Sequence, residues 1–333
     1  MFSPGSISMQ SSKYVIGISV GGTKLAVVIS DSRGEIIERI RKPTNSERGP
    51  ENVIQRVFDM VNEIIRIVGL DKNNCTGVGV SFGGPVNPKT GTTYSFVNCP
   101  GWGGIPLKKR IEVQLGLPVV IENDANASAL AEWMYGAGRG YDYVVYMTMG
   151  TGIGGGIVVK GRLYKGTGGL AGEVGHQILL PNGPKCECGK RGCLESLCSG
   201  PAITRRAKEA IKKDPKTLIL RIAEDKIENV KSEMVVRAAR DGDRLANQLI
   251  YETATYMGWG IANIVSILNP DVVILGTVAT AAGDLLLAPI RENVRKLGVG
   301  EAARRVKILP SQLGDQIDDL AAVSLVIRRF QEA

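Results

Sequence analysis

Residues 143–161 read YVVYMTMGTGIGGGIVVKG, which is an apolar run, a glycine-rich turn and a second apolar run. Residues 14–31 repeat this order in YVIGISVGGTKLAVVISD. Each stretch predicts two antiparallel strands joined by a tight turn. Because both stretches have the same order of strand, turn and strand, we interpret them as an internal duplication. The duplication is at the level of the fold, since the two stretches share little residue identity. Two such halves facing each other would direct both glycine turns into one cleft.

The segments around these two stretches predict further strands and helices in alternation, which is typical of an α/β fold with mixed sheets flanked by helices. Strands are expected at 35–42, 76–82, 118–124, 271–276 and 306–311, and helices at 51–68, 126–137, within 201–267, and at 288–298 and 318–330. We predict a disordered leader over 1–12 and a small N-terminal domain over 13–122, on which a helix at about 316–333 packs. A large C-terminal domain is expected over 123–315.

Composition excludes several classes of protein. Of 333 residues, 44% are hydrophobic, which provides a core and excludes global disorder. Only 5% are aromatic, which argues against a stacking surface for single-stranded nucleic acid. The net charge of +8 has no long basic run, so we expect no nucleic-acid partner. No apolar stretch is long enough for a membrane span, and the first residues do not resemble a secretory signal; a cytoplasmic location is expected.

The single histidine precedes three closely spaced cysteines. His176 is followed by Cys186, Cys188 and Cys193, and these four residues form a set typical of tetrahedral Zn²⁺. Four protein ligands leave no open position, so the metal is predicted to be structural and to hold the loop 176–193.

Carboxylates near this loop and after a predicted strand suggest a polar ligand. Asn123 and Asp124 follow the strand, where an aspartate is also a common helix cap. Glu173 and Glu195 flank the metal loop, which would bring them together. Carboxylates and an amide suit a polyhydroxylated ligand, and one carboxylate could accept a proton from an attacking hydroxyl.

The two glycine turns are predicted to bind phosphate through backbone amides. One comprises Gly21, Gly22, Thr23 and Lys24, and the other comprises Gly150, Thr151, Gly152 and Gly154. Neither matches the phosphate-binding loop of P-loop proteins, nor the dinucleotide fingerprint, because strand-type residues follow both. Phosphate sites together with hydroxyl-binding carboxylates indicate a sugar kinase.

Several stretches together resemble the ROK (repressor, ORF, kinase) family, within the actin/hexokinase-like superfamily. They are VGGTK, SFGGPVNPKTG, VNCPGW, ENDANASALAEWMYGAGRG, and MTMGTGIGGG continuing through LAGEVGH to CECGKRGCLES. The resemblance extends from residue 14 to about 301, and the residues of these stretches are most similar to those of bacterial glucokinases. It implies a duplicated, ribonuclease H-like, two-domain fold and ATP-dependent phosphorylation of a hexose.

The resemblance also implies roles for individual residues. Asp124 would be the base that accepts the proton of the sugar 6-hydroxyl. The sugar would be bound by Gly84, Pro85, Asn98, Asn123, Asp124, Glu173, His176 and Glu195. The nucleotide site would comprise Ser19, Gly21, Gly22, Thr23, Lys24, Gly150, Thr151, Gly152, Gly154 and Gly276. ATP, Mg²⁺ and a structural Zn²⁺ held by His176, Cys186, Cys188 and Cys193 would be the cofactors, and the protein would be a homodimer or tetramer.

Three positions depart from the family pattern. Ser19 stands where the family has an aspartate that helps to hold Mg²⁺. Gly276 is followed by Thr277 and Val278, where the family is richer in glycine. The last helix begins with Asp318 and Asp319, where the family has small residues, which leaves the packing of that helix open.

Alternative functions remain open on this sequence. Glucose is the first expected substrate, with an N-acetylhexosamine or fructose as alternatives. A sugar-binding pseudokinase or regulator is a second possibility, because Ser19 lacks a carboxylate. A repressor of the same family is disfavoured, because only about thirteen residues precede the first strand and none resembles a recognition helix.

Overall fold

The computed structural model describes residues 14–96 and 99–331, and the chain divides into two units. One comprises Met1–Ala131 with Asp315–Ala333, and the other comprises Glu132–Gly314. The domain boundary expected after residue 122 lies nine residues before the observed division after Ala131, because the chain passes from the first unit to the second within a helix. The expected leader, 1–12, lies outside the described residues.

The first unit is built on a five-stranded sheet. Its strands are β1 (Tyr14–Val20), β2 (Lys24–Ser30), β3 (Ile36–Pro43), β4 (Cys75–Phe82) and β5 (Val119–Asn123). The order is β3-β2-β1-β4-β5, with β1, β4 and β5 parallel and the β1–β2 and β2–β3 pairs antiparallel. Its helices up to the division are α1 (Gly49–Val68), α2 (Leu107–Leu115) and α3 (Asp124–Tyr135), which crosses the division.

The second unit contains a second five-stranded sheet. Its strands are β6 (Tyr143–Met147), β7 (Gly155–Val159), β8 (Arg162–Leu163), β9 (Val272–Leu275) and β10 (Lys307–Pro310). Its helices are α4 (Leu194–Cys198), α5 (Gly200–Lys213), α6 (Leu218–Ile222), α7 (Ser232–Arg240), α8 (Arg244–Leu268), α9 (Val278–Ala282), α10 (Asp284–Leu297) and α11 (Gly300–Arg305). The last helix, α12 (Ile317–Gln331), belongs to the first unit.

The two sheets have the same topology. The second has the order β10-β9-β6-β7-β8, so β6 to β10 correspond in turn to β1 to β5. The β6–β7 and β7–β8 pairs are antiparallel, and β9 is parallel to both β6 and β10. The predicted duplicated α/β fold with mixed sheets is therefore confirmed, and each glycine turn joins the first two strands of its sheet.

Helix α12 covers one face of the first sheet at close range. A Cβ atom built on Gly17 would lie 2.9 Å from Cγ2 of Val323, and one on Gly79 would overlap the carbonyl oxygen of Ala322. Only glycine allows the helix this approach, which answers the question of its packing. Among residues 14–96 and 99–331, no helix has both the length and the apolar character that crossing a bilayer requires.

Candidate active site

Asp124 is the first residue of α3 and follows β5 directly, so its carboxylate lies at the carboxyl end of the first sheet. Oδ1 of Asp124 accepts a hydrogen bond from the Ala125 amide at 2.8 Å. Oδ1 of Asn123 accepts from the same amide at 3.0 Å and from the Asn126 amide at 3.3 Å. Asn123 thus performs the capping role, and the helix does not need Asp124 for it.

The pKa of Asp124 is raised to about 6. The side chain is reached by solvent, but protein atoms surround it densely, and the resulting desolvation is the main cause. The negative charge of Asp318 raises the pKa further, while hydrogen bonds from Ala125 and Asn123 oppose the rise. A carboxylate with this pKa is ionised at neutral pH and still basic enough to accept a proton from a reacting hydroxyl.

Gly84 and Pro85 lie beside Asn123. Nδ2 of Asn123 donates to the carbonyl oxygen of Gly84 at 3.3 Å, and the Tyr94 amide donates to that of Pro85 at 3.0 Å. The turn after β4 is therefore joined to the end of β5. Asn98, the remaining sugar-binding residue expected near this turn, lies outside the described residues.

The first glycine turn joins β1 to β2 and carries a paired lysine. The Gly21 amide donates to the carbonyl oxygen of Lys24 at 3.0 Å, which closes the turn. Nζ of Lys24 lies 2.9 Å from Oδ2 of Asp318, the residue that also influences Asp124. Ser19 lies two residues before the turn, on β1, and its hydroxyl places no negative charge there.

The second glycine turn is tied to Glu195. The amide of Ile153 donates to Oε2 of Glu195 at 2.8 Å, and a Cβ on Gly152 would lie 2.5 Å from the same oxygen. The turn itself is closed by the Gly150 amide, which donates to the carbonyl oxygen of Gly152 at 3.0 Å, and by a Thr148–Gly154 hydrogen bond of the same length. Glu195 therefore links the second glycine turn to the segment that carries the cysteines.

The four predicted metal ligands converge. The ligand atoms of His176, Cys186, Cys188 and Cys193 all lie within 4.8 Å of one another. The Cys188 and Cys193 sulfurs are 3.7 Å apart, as are Cys186 Sγ and His176 Nδ1. Thiolates at about 2.3 Å from a tetrahedral zinc ion lie about 3.8 Å from each other, so these spacings fit zinc. Burial raises the pKa of the Cys186 thiol, and a cation would supply the charge that lets its thiolate form.

The histidine ring has two differently placed nitrogens. Nδ1 points to Cys186, whereas Nε2 lies 3.8 Å from Oε2 of Glu173. Oε1 of Glu195 lies 4.0 Å from Nδ1. The structure therefore brings together the predicted residues Glu173, His176 and Glu195, with one ring nitrogen towards the cysteines and the other towards Glu173.

A cavity of about 1100 Å³ in the second unit adjoins the second glycine turn. Gly150 and Thr151 line one side, and α5 and α7 supply most of the rest, with Thr277 and Val278 closing it. Among its lining residues are six cationic side chains, from Arg205, Lys208, Lys212, Lys231, Arg237 and Arg240, against two acidic ones, from Glu209 and Glu233. Sequence reasoning missed these cations, although Lys208 and Lys212 at helical spacing on α5 are a signal.

Thr277 links the loop that follows β9 to the loop that follows β6 at this cavity. Its Oγ1 accepts a hydrogen bond from the Met149 amide at 2.9 Å, and its backbone φ of 54° is unusual for a β-branched residue. Gly276 is packed against the ring of Tyr146, where a Cβ would lie 2.5 Å from Oη. Thr277 and Val278, rather than Gly276, thus reach the cavity.

We expect Thr277→Val to loosen the second glycine turn. Valine keeps the branched shape but leaves the buried Met149 amide without its acceptor, at a cost of about 1–3 kcal/mol. Amide hydrogen exchange at Met149 should accelerate roughly tenfold or more. Thr277→Ser, which keeps the hydroxyl, is the control, and equal exchange in the two variants would contradict the expectation.

Comparison with known proteins places the chain in a family. The model of the ROK family matches residues 15–329. The chain belongs to the ROK family. The glucokinase of Thermotoga maritima is 34% identical over 95% of this chain and 98% of its own length. A ROK family glucokinase from Streptomyces griseus, solved with glucose and AMPPNP, is 34% identical with a TM-score of 0.82, covering 94% of this chain and 98% of that one.

Relatives of a second kind also match. The xylose repressor of Caldicellulosiruptor bescii is 29% identical over 94% of this chain and 78% of the repressor. Glucokinases and a xylose repressor are therefore both similar to this chain, and the activity has to be argued from the residues of the site.

Proposed function

We propose that the chain is an ATP-dependent hexose kinase that transfers the γ-phosphoryl group of ATP to the 6-hydroxyl of glucose. The observation that carries the proposal is Asp124, a solvent-reached carboxylate with a raised pKa, at the sheet edge where the Gly21–Lys24 turn also lies. The similarity to glucokinases over nearly the whole chain supports ATP and glucose as the substrates.

In the proposed reaction Asp124 accepts the proton of the 6-hydroxyl as its oxygen attacks the γ-phosphorus. The bond from the γ-phosphorus to the bridging oxygen of ATP breaks, and ADP leaves with that oxygen. Catalysis of this transfer depends mostly on position and on neutralising charge. The Gly21 and Gly150 amides close the two turns by donating to the carbonyl oxygens of Lys24 and Gly152. We therefore assign phosphate oxygens to the backbone amides of Gly22 and Gly152, because glycine has no side chain that would hold an anion away.

We assign sugar binding to polar groups on both units. Asn123 and Asp124 belong to the first unit, and Glu173, His176 and Glu195 belong to the second. Carboxylates accept hydrogen bonds from sugar hydroxyls, and Nε2 of His176 adds a group on the side away from the cysteines. Gly84, Pro85 and Asn98 complete the expected set of sugar-binding residues. Zn²⁺ bound by His176 and the three cysteines would hold the loop 176–193 in place.

We assign nucleotide binding in the second unit to the cavity beside Gly150 and Thr151. Its apolar groups, such as Val236, Val278 and Ala281, suit a planar base, and its six cations suit the phosphates. Mg²⁺, when bound with ATP, would neutralise charge that develops on the phosphates. The predicted cytoplasmic location agrees with this use of ATP. The predicted homo-oligomer rests on the family resemblance, and sedimentation can test it.

A coupled ADP-release assay over a panel of sugars tests the proposal. Glucose, mannose, fructose, N-acetylglucosamine and N-acetylmannosamine should be compared at saturating Mg²⁺-ATP, and glucose should give the highest kcat/KM. A higher kcat/KM for an N-acetylhexosamine or fructose would move the assignment to that sugar. Absence of turnover with all five would refute the kinase.

We expect kcat to depend on an ionisation near pH 6. Asp124 must be deprotonated to act as base, so activity should be present above its pKa of about 6 and fall about tenfold per pH unit below it. The measurement is kcat for glucose from pH 4.5 to 8, with unfolding followed in parallel. A flat profile in that range would show that Asp124 does not accept the proton.

A sugar-responsive regulator is the second candidate, since a xylose repressor is similar over most of this chain. A gel-shift experiment with sheared DNA at moderate salt separates the two. Tight, sequence-dependent binding without sugar phosphorylation would favour the regulator, whereas turnover with glucose would favour the kinase.

A further inference from the structure

The carboxyl edge of the first sheet is where the proposed function needs a divalent cation. The turns after β1, β4 and β5 meet at this edge because those strands are parallel. Phosphoryl transfer from ATP uses Mg²⁺, which prefers oxygen ligands and usually takes one or two carboxylates. β1 offers only the hydroxyl of Ser19 near its end, and Asp124 is already assigned to the proton.

Helix α12 runs antiparallel to β1 and β4 and brings its first turn to this edge. Val326 packs at Gly77, where a Cβ would lie 3.5 Å from its Cγ1, and Ala322 packs at Gly79. Each step of two residues along the strand thus corresponds to one helical turn back along α12. One further step leads from Gly79 to Ser81, which pairs in register with Ser19, and from Ala322 back to Asp318. We infer from this spacing that Asp318 lies near the two serines.

Asp318 has contacts that fit a place among charged groups of the site. Its Oδ2 lies 2.9 Å from Nζ of Lys24, and the two side chains are 40% and 44% exposed. Within the described part of the chain, the Asp318 side chain has no other ion pair or hydrogen bond. Its charge also acts on Asp124. The carboxylate therefore lies beside the Gly21–Lys24 turn, its charge acts on the proposed base, and solvent or a cation can reach it.

The neighbouring residue holds this turn of the helix in place. The Asp319 carboxylate is buried and lies 2.6 Å from Nη2 of Arg39 and 2.9 Å from Nη2 of Arg41, both on β3. Arg41 also donates to the carbonyl oxygen of Asp315. Since these contacts anchor the first turn of α12 to the sheet, Asp318 is positioned by the fold and not by Lys24 alone.

We propose that Asp318 is the protein carboxylate that binds the divalent cation accompanying ATP, supplied by the last helix in the absence of a carboxylate on β1. This assignment rests on the proposed function, because it takes the cation–nucleotide complex as the ligand. With Asp318 as a ligand, the site has a carboxylate for the cation although Ser19 has none. The main argument for a pseudokinase then no longer applies.

The test measures cation binding directly. Mn²⁺, used in place of Mg²⁺, is titrated into the full chain with the ATP analogue AMPPNP, and free Mn²⁺ is followed by electron paramagnetic resonance. Asp318→Asn should weaken Mn²⁺ binding to the protein–nucleotide complex by about tenfold or more. The Mg²⁺ concentration for half-maximal turnover with glucose should rise in parallel.

A matched control is available on the same unit. Nζ of Lys42 lies 2.6 Å from Oε2 of Glu63, with side chains 41% and 40% exposed, nearly as in the Lys24–Asp318 pair. Glu63→Gln removes a comparable ion pair away from the site and should leave Mn²⁺ binding unchanged. Adding Ser19→Asp to Asp318→Asn should restore a large part of the lost affinity, because it returns a carboxylate to the same edge.

A role of Asp318 in neutralising Lys24, without binding the cation, predicts a different result. If Asp318 only neutralises Lys24, Asp318→Asn frees that lysine, so AMPPNP binds more tightly while Mn²⁺ affinity and Mg²⁺ dependence stay the same. That result would overturn the assignment. The binding measurement needs no sugar, so weaker Mn²⁺ binding in the variant without sugar phosphorylation by the wild type would refute the kinase and retain Asp318. A wild-type chain that binds neither AMPPNP nor Mn²⁺ would refute both.

Discussion

Asp124→Asn is expected to lower kcat for glucose by at least about 10²-fold with little change in sugar affinity. Removing a general base typically costs 10²- to 10⁴-fold, and asparagine cannot accept the hydroxyl proton. Asparagine retains an oxygen for the Ala125 amide, and Asn123 caps α3 independently, so the fold should persist. The measurement is steady-state kinetics, with glucose binding followed by calorimetry.

The control for this variant is built into the pH profile. If Asp124 is the base, the residual activity of Asp124→Asn should lose the fall below about pH 6 that the wild type is expected to show. A drop in kcat of less than about tenfold, or a retained acid limb, would mean that another group accepts the proton.

Cys188→Ser is expected to abolish zinc binding and to lower the affinity for glucose about tenfold to 100-fold. Cys188 is the exposed member of the cluster, so serine disturbs packing little and the loss is that of a metal ligand. Without the ion, the loop that carries Glu173 and His176 is no longer held to the start of α4, which carries Glu195. Elemental analysis should give about one zinc per wild-type chain.

Cys75→Ser is the matched control, because Cys75 is a partly buried thiol at the start of β4, outside the cluster. It should retain zinc and glucose affinity. A wild-type chain that binds glucose normally with no zinc would contradict the structural role of the metal. Normal glucose affinity in zinc-free Cys188→Ser would contradict the link between the loop and the sugar.

The parts of the site that sequence could predict are local ones. The strand–turn–strand patterns place both glycine turns, because alternation of apolar runs and glycine is encoded within about twenty residues. The cluster of candidate metal ligands follows in the same way, since His176, Cys186, Cys188 and Cys193 lie within one short loop whose spacing already limits their separation. Asp124 is found because it follows a strand directly.

The parts that sequence could not predict depend on contacts between distant segments. Asp318 follows a loop at the far end of the chain, and only the antiparallel packing of α12 brings it to Lys24. The cations around the cavity are spread over α5 and α7, so the net charge of +8 indicates their number without their location. The pKa of Asp124 likewise depends on the density of protein around it.

The covering of Gly17 and Gly79 by α12 has a consequence for biosynthesis. The first unit contains β1 to β5 and is completed by α12, which follows the whole of the second unit in the sequence, so one face of its sheet stays bare until α12 has left the ribosome. The second unit has all its segments earlier and can mature while the chain is still growing. A chain truncated shortly before residue 315 should therefore leave an open apolar sheet that attracts chaperones, even though the strands of that sheet are all present.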